Sequence, residues 1–241
     1  MQNQSIAAVP PLVLAALLLV QCGWQDPETN GGAKVGARTS KKAKFHGLLD
    51  VQEVSPGIKV DLRYATRHNV TNRRLYPSSM AALLTADSSH RLARAQEELR
   101  RQGYGLKVWD AYRPPRAHMA LWKSAPDSTY VVKPSPTSWS RHTQGLAVDV
   151  TLVDRNGVEM RMPTGFDAFT PAASSTYIGS DPEIRRNLEV LQTAMRNAGF
   201  NTIPSEWWHF WNPNVEIGKV VFASQLGLVL PENVRRIQIP R

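Results

Sequence analysis

The chain has 241 residues, of which 42% are hydrophobic and 20% are charged, and its formal net charge is +9. Its single cysteine, Cys22, excludes an intramolecular disulfide, and it excludes a thiolate metal site or a catalytic cysteine in the globular part. The basic residues lie mainly in the segment that ends near residue 44 and on predicted helix faces, and no nucleic-acid-binding motif accompanies them. We therefore expect no nucleic acid partner.

Residues 1–22 are typical of an export signal. Residues 9–20 are almost all apolar, a stretch long enough for a signal-peptide core and too short to favour a membrane span. The tetrapeptide that ends at Cys22 resembles a lipoprotein signal, in which this cysteine becomes the lipidated first residue. An ordinary or uncleaved signal peptide is the alternative. We expect export to the periplasm or cell envelope, with membrane anchoring if Cys22 is lipidated.

Two regions follow the signal. Residues 23–44 are rich in Gly, Asn, Thr, Lys and Arg with hardly any large apolar residue, which predicts a disordered basic tether. Residues 45–241 suit one domain with a sizeable core.

Patterning within this domain predicts a succession of strands and helices. In chain order these are a strand over 51–64, a helix over 80–102, a strand over 106–112, a helix over 116–123, a loop over 124–139, a strand over 146–152, a hairpin turn over 154–157, a helix over 183–197 and an aromatic strand over 206–211. An apolar tail over 220–230 is expected to pack as a strand or a helix. The order indicates an α+β domain, with helices packed on a small antiparallel sheet that carries the site.

Two short motifs place metal-binding side chains near strand ends. His142 precedes the strand that contains Asp149, and Glu206 stands three residues before His209 in the aromatic strand. Two imidazoles and one carboxylate, from His142, Asp149 and His209, leave a fourth position open, as in catalytic zinc sites. We expect one Zn²⁺ per chain, although iron, cobalt or nickel could occupy the same ligand set. Glu206 is expected to be the general base toward the water that the metal activates.

The remaining histidines have no carboxylate or histidine partner at ligand spacing. We therefore expect them to lie at the surface: His46, His68, His90 and His118.

The motifs resemble those of zinc peptidases that include D-alanyl-D-alanine carboxypeptidases and the VanX-type D-alanyl-D-alanine dipeptidases. The stretches that carry the resemblance, in family order, are residues 63–66, 105–114, 140–149, 165–167 and 206–209. The resemblance extends from about residue 45 to about residue 211. Each motif alone is a moderate signal, and five in the same order are a specific one.

The resemblance implies a reaction and further site residues. Arg113 would stabilise the oxyanion of the tetrahedral intermediate, and Asp167 would bind the ammonium group of the substrate. Ser140, Tyr64 and Tyr76 would surround the substrate carboxylate or form the pocket wall. The expected reaction is zinc-dependent hydrolysis of the D-Ala-D-Ala dipeptide to two molecules of D-alanine, in cell-wall peptide turnover.

Two alternatives use the same motifs. A D-Ala-D-Ala carboxypeptidase, which acts on longer peptidoglycan peptides, shares the zinc ligands but leaves the amino side of its site open. A non-catalytic wall-binding lipoprotein is disfavoured, because a binding module has no use for Glu206 beside a metal.

Overall fold

The structure is a computed structural model that describes residues 36–215 and 220–240, without the side chains of residues 36–40. The predicted signal segment 1–22 and the first part of the predicted tether lie outside the described residues. Within those residues, every helix is too short or too polar to cross a membrane.

Short strands and helices alternate along the described chain. The helices are α1 (Gly36–Phe45), α2 (Val51–Val54), α3 (Ala86–Arg101), α4 (Pro115–Ser124), α5 (Pro182–Asn197) and α6 (Glu232–Arg235). The strands are β1 (Leu48–Asp50), β2 (Lys59–Val60), β3 (Leu83–Thr85), β4 (Tyr104–Asp110), β5 (Ala147–Asp154), β6 (Asn201–Ile203) and β7 (Glu206–Trp211). Single turns of 3₁₀ helix occur at Arg63–Ala65, Arg141–Gln144 and Pro171–Ala173.

Five strands form the main sheet in the order β2-β4-β5-β7-β6, and β1 pairs with β3 in a separate two-stranded sheet. All the pairings are antiparallel except that of β2 with β4, which is parallel. The main sheet is therefore mixed at one edge. Helix α3 packs on β4, α5 packs on β5, and the two helices also contact each other. The predicted α+β architecture is confirmed.

The central strand of the main sheet, β5, is buried over Ala147–Val153. It lies between β4 and β7, which pair with its two edges, and α5 packs against it. Helices α3 and α5 each turn a stripe of apolar residues inward, which includes Leu92 and Leu99 on α3 and Leu188 and Leu191 on α5. This packing holds β5 in place, and β5 carries a candidate metal ligand.

Two predicted elements are wrong. Residues 51–64 form α2, the two-residue strand β2 and a 3₁₀ turn instead of one strand, because Asp50 caps α2 by accepting a hydrogen bond from the Gln52 amide. The helix predicted from residue 80 begins only at Ala86, after Thr85 accepts a hydrogen bond from the Ser88 amide. The leucines of β3 pair with β1, so tertiary pairing overrides their apparent helical spacing.

The two ends of the domain also differ from the prediction. The boundary predicted at residue 44 falls inside α1, where Ala43 is fully buried, so the disordered tether does not extend over residues 36–44. Residues 220–230 form neither strand nor helix. Val221, Leu226 and Leu230 are nevertheless buried, so the tail contributes to the core without regular structure.

Gly145 allows the turn that precedes β5 to pack closely on β1 and β3. It ends the 3₁₀ turn Arg141–Gln144 with a left-handed backbone, at a φ of 68°. A Cβ atom there would lie 2.6 Å from Leu48 Cδ2 and 3.2 Å from the Thr85 nitrogen. The Thr85 amide donates to the Gly145 carbonyl at 2.9 Å, which ties the turn to β3. This position therefore requires a glycine, because the backbone is left-handed and because there is no room for a Cβ atom.

We expect Gly145→Ala to lower the free energy of unfolding by about 2–4 kcal/mol, from left-handed strain plus displacement of Leu48. The matched control is Gly47→Ala, since Gly47 has a φ of 76° but no atom within 4 Å of a Cβ. In the control, the free energy of unfolding should fall only by the cost of the left-handed backbone, about 1–2 kcal/mol. Urea unfolding of both variants measures the difference. Equal losses would show that contact with Leu48 is unimportant.

Candidate active site

The pairing of β5 with β7 brings two of the candidate ligands together. Asp149 lies directly opposite His209 in the antiparallel ladder, an arrangement that places side chains on the same face of the sheet. His142 reaches them from the 3₁₀ turn before β5, where its carbonyl accepts a hydrogen bond from the Arg113 amide at 3.0 Å. Three separate segments thus converge on one point.

The potential ligand atoms are close enough to share one ion. His142 Nε2 lies 3.1 Å from His209 Nδ1 and 3.3 Å from Asp149 Oδ1, and His209 Nδ1 lies 2.9 Å from Asp149 Oδ1. Ligands about 2.0–2.1 Å from a tetrahedral zinc ion are separated by roughly 3.3 Å. The three side chains therefore fit a metal ion with little rearrangement.

Hydrogen bonds and burial favour the metal-binding forms of these groups. The Ala111 carbonyl lies 2.7 Å from His142 Nδ1, and because a carbonyl only accepts, Nδ1 carries the proton and Nε2 directs its lone pair at the cluster. Burial lowers the pKa of His209, which keeps its imidazole neutral. Burial alone would raise the pKa of Asp149, but His142 and His209 hold it well below its usual range. Neutral imidazoles and an ionised carboxylate are the forms that bind a metal.

Glu206 begins β7 beside the three ligands. Its Oε2 lies 3.8 Å from His209 Nδ1, and the residue is buried. Burial, with the charge of Asp149 in addition, raises its pKa well above the usual value. Among the described residues, the buried acids are Asp110, Asp149, Asp167 and Glu206, while Arg113 is the one buried Lys or Arg. A divalent cation would offset this excess of buried negative charge.

The Arg113 guanidinium is held by a buried carboxylate, that of Asp110. Its Nε and Nη2 lie 2.8 and 2.7 Å from Asp110 Oδ2, and Nη2 is 3.5 Å from Asp149 Oδ2. The Tyr76 hydroxyl donates to the other oxygen of Asp110 at 2.7 Å. Tyr76 is fully buried and is not among the residues that line the cavity, so its predicted place in the substrate pocket is corrected to a supporting one behind Arg113.

Asp167 is a strained and buried acid that lines the same cavity. Its backbone is left-handed, with a φ of 58°, an uncommon conformation for a residue other than glycine. Its two carboxyl oxygens accept from the Tyr64 hydroxyl at 2.9 Å and from the Val70 amide at 3.0 Å. Burial raises the pKa of Asp167 to about 7. The positive charge of a bound cationic ligand would therefore favour the ionised form of the Asp167 carboxyl group.

One cavity of about 410 Å³ joins these groups. The predicted site residues that line it are Tyr64, Arg113, Ser140, His142, Asp149, Asp167, Glu206 and His209. Ser140 also caps the 3₁₀ turn by accepting from the His142 amide at 3.3 Å. Eight of the nine predicted site residues thus share one cavity, and Tyr76 is the exception. Their chemical roles remain predictions.

Sequence comparison with known proteins places the chain among its relatives. The sequence profile of the D-Ala-D-Ala dipeptidase family matches residues 44–225. This chain belongs to that family. A D-alanyl-D-alanine dipeptidase from Escherichia coli K12 is 35% identical over 166 residues, which cover 69% of this chain and 84% of the relative. The enzymes of that name from Enterococcus faecium and Streptomyces coelicolor are 28% and 29% identical, over 68% and 66% of this chain and 90% and 88% of theirs.

Membership makes the chain a metallopeptidase. Sequence reasoning missed two buried residues that contact Arg113, Asp110 and His118. Asp110 stands within the matched segment 105–114, but its bond to Arg113 depends on the fold. His118 was expected at the surface and is only 1% exposed, which corrects that prediction. Its spacing from Ala117 and Leu121 on α4, both buried, was the available signal.

We expect His142→Ala to lower the affinity for zinc by more than about 100-fold, because one of three ligands is lost; even outer-shell changes cost 10–100-fold. The matched control is His90→Ala, on the exposed side of α3, which should bind zinc as the unaltered chain does. Calorimetric titration of the metal-free proteins with Zn²⁺ measures both. Full affinity in His142→Ala would remove this residue from the ligand set.

Proposed function

We propose that this chain is a zinc-dependent dipeptidase that hydrolyses D-alanyl-D-alanine to two molecules of D-alanine. The observation that carries the proposal is the convergence, in one cavity, of a three-ligand cluster with a buried acid, Glu206, and a buried guanidinium, that of Arg113. The names of the relatives in the same family support the substrate.

The donor set supports zinc as the metal. Two imidazole nitrogens and one carboxylate oxygen suit zinc, and three protein ligands leave a position for water or substrate. When bound, zinc supplies Lewis-acid polarisation of the peptide carbonyl and lowers the pKa of water.

Glu206 is proposed as the general base. It accepts a proton from the attacking water, whose oxygen forms a bond to the carbonyl carbon, and it delivers that proton to the leaving amine as the C–N bond breaks. The reaction needs the ionised form of Glu206. Burial and the charge of Asp149 oppose the ionisation of Glu206 in the chain alone, and a bound cation would favour it.

Arg113 is proposed to stabilise the negative charge that develops on the carbonyl oxygen. Asp110 fixes its guanidinium before substrate arrives, so little reorganisation is needed during the reaction. A preorganised donor of this kind lowers the barrier by about 3–4 kcal/mol.

Asp167 is proposed to select for a free amino terminus. Tyr64 and Val70 hold its carboxyl group inside the cavity that also contains the metal ligands. An ammonium group stabilises the ionised carboxylate, whereas an acylated amine offers no charge in return for its desolvation. This favours a dipeptidase over a carboxypeptidase.

The site of action is proposed to be the cell envelope, in the turnover of wall peptides. The support comes from sequence, since residues 1–22 have the pattern of an export signal that ends in Cys22. A lipid on this cysteine would anchor the domain to a membrane.

The proposal is tested by incubating the zinc-loaded chain with D-Ala-D-Ala, N-acetyl-D-Ala-D-Ala and a wall pentapeptide. We expect release of D-alanine from the free dipeptide alone. Asp167→Asn should lower kcat/KM for the dipeptide by about 30–150-fold, since a hydrogen bond to a charged group contributes about 2–3 kcal/mol. Cleavage of the acetylated or longer substrate would indicate a carboxypeptidase. No cleavage of any substrate would favour the wall-binding alternative.

We expect Glu206→Gln to lower kcat for the dipeptide by about 10²–10⁴-fold, because a glutamine cannot accept the proton. Zinc content should be unchanged, as measured by elemental analysis of the same samples. Glu189→Gln, on the exposed surface of α5, is the control and should retain full kcat. Activity retained in Glu206→Gln would refute the base assignment, and loss of zinc would make Glu206 a ligand.

A further inference from the structure

His118 is a buried histidine that the proposed reaction does not use. It lies on the inner side of α4, is 1% exposed and lines the cavity beside Arg113. Its Nδ1 is 3.4 Å from Arg113 Nη1, and its Nε2 is 2.8 Å from the Val132 carbonyl oxygen. The imidazole therefore connects the guanidinium to the cavity-lining loop that contains Val132.

The two partners determine which nitrogen carries the proton. The Val132 carbonyl can only accept, so Nε2 must donate to it. Arg113 can only donate, so Nδ1 must be unprotonated and accept. A neutral imidazole with its proton on Nε2 satisfies both contacts. Burial, with the charge of Arg113 in addition, lowers the pKa of His118 to about 3, so this form persists at neutral pH.

The contact complements the one that Asp110 makes. Asp110 accepts from Nε and Nη2, which lie along one edge of the guanidinium. Within the described part of the chain, His118 is the hydrogen-bond partner of Nη1. Two contacts at different points of a planar group restrict its rotation more than either contact alone.

We propose that His118 is a positioning residue that holds Arg113 at the angle needed to meet the developing oxyanion, and that it ties this angle to the loop at Val132. The inference rests on the proposed function of Arg113. A histidine that only filled the core would contribute to stability but not specifically to kcat.

Two variants separate the contacts of the imidazole. His118→Asn places an amide oxygen where Nδ1 accepts from Arg113 and gives up the bond to Val132. His118→Gln places an amide NH₂ where Nε2 donates to Val132 and gives up the bond to Arg113. We expect His118→Gln to lower kcat for D-Ala-D-Ala by about 10-fold or more with KM changed less than about 2-fold, because only transition-state stabilisation is lost. His118→Asn should restore most of kcat.

Three controls make the result specific. In an Arg113→Ala background, His118→Gln should cause no further loss of kcat, since the contact is already gone. His90→Gln, on exposed α3, should match the unaltered chain. Urea unfolding of each variant identifies losses that follow from a destabilised fold. Equal kcat in His118→Gln and the unaltered chain, or an equal loss in His118→Asn and His118→Gln, would overturn the proposal.

A second readout does not depend on turnover. NMR of the ¹⁵N-histidine-labelled chain should show the His118 ring neutral at pH 7, with the proton on Nε2. A proton on Nδ1, or a charged ring, would overturn the contact with Arg113. If the unaltered chain releases no D-alanine, the proposed function fails and the catalytic part of this inference fails with it. The ring tautomer then still decides the contact itself.

Discussion

The antiparallel register between β5 and β7 is the constraint on which the site depends. It sets Asp149 opposite His209, and a shift of one residue would turn one of the two side chains to the other face of the sheet. The register is held by burial, because β5 is enclosed and the indole of Trp207 on β7 packs against Trp109 on β4, the strand on the other side of β5. His142 joins the pair only because Gly145 lets its turn lie against β3. A catalytic arrangement thus rests on backbone pairing that the core enforces.

Buried charge is the second organising feature. The four buried acids of the described chain are an unusual load for a small domain, since each loses the hydration of its charged form. The fold compensates three of them, each in a different way. Asp110 has Arg113 and Tyr76, Asp149 has two imidazoles, and Asp167 has a hydroxyl and an amide. Glu206 is left with a raised pKa. A metal ion and a cationic ligand would supply the positive charge that these acids lack.

Local patterns predicted much of the fold. Helices α4 and α5 and strands β4, β5 and β7 lie within two residues of their predicted bounds, because each has a strong local signal such as the proline that opens α4 or the Asp181 cap of α5. The predictions failed where short segments alternate. Over residues 51–64, a helical turn, a two-residue strand and a 3₁₀ turn follow each other too closely for a periodicity to reveal them. Over residues 80–85, leucines suited to a helix pair with β1 instead.

The candidate metal ligands and the candidate base were predicted from residue types and spacing in short motifs beside strands whose pattern is clear, whereas Asp167 was predicted only from the resemblance to the family. Behind these residues the arrangement depends on packing. Tyr76 supports Asp110 from 34 positions away, and His118 reaches Arg113 only because α4 turns that face inward. Such contacts join segments with no periodic relation to each other, so they emerge only when the core brings those segments together. The sequence therefore indicated which groups are candidates for the site, and the tertiary structure alone showed which buried side chains surround and orient them.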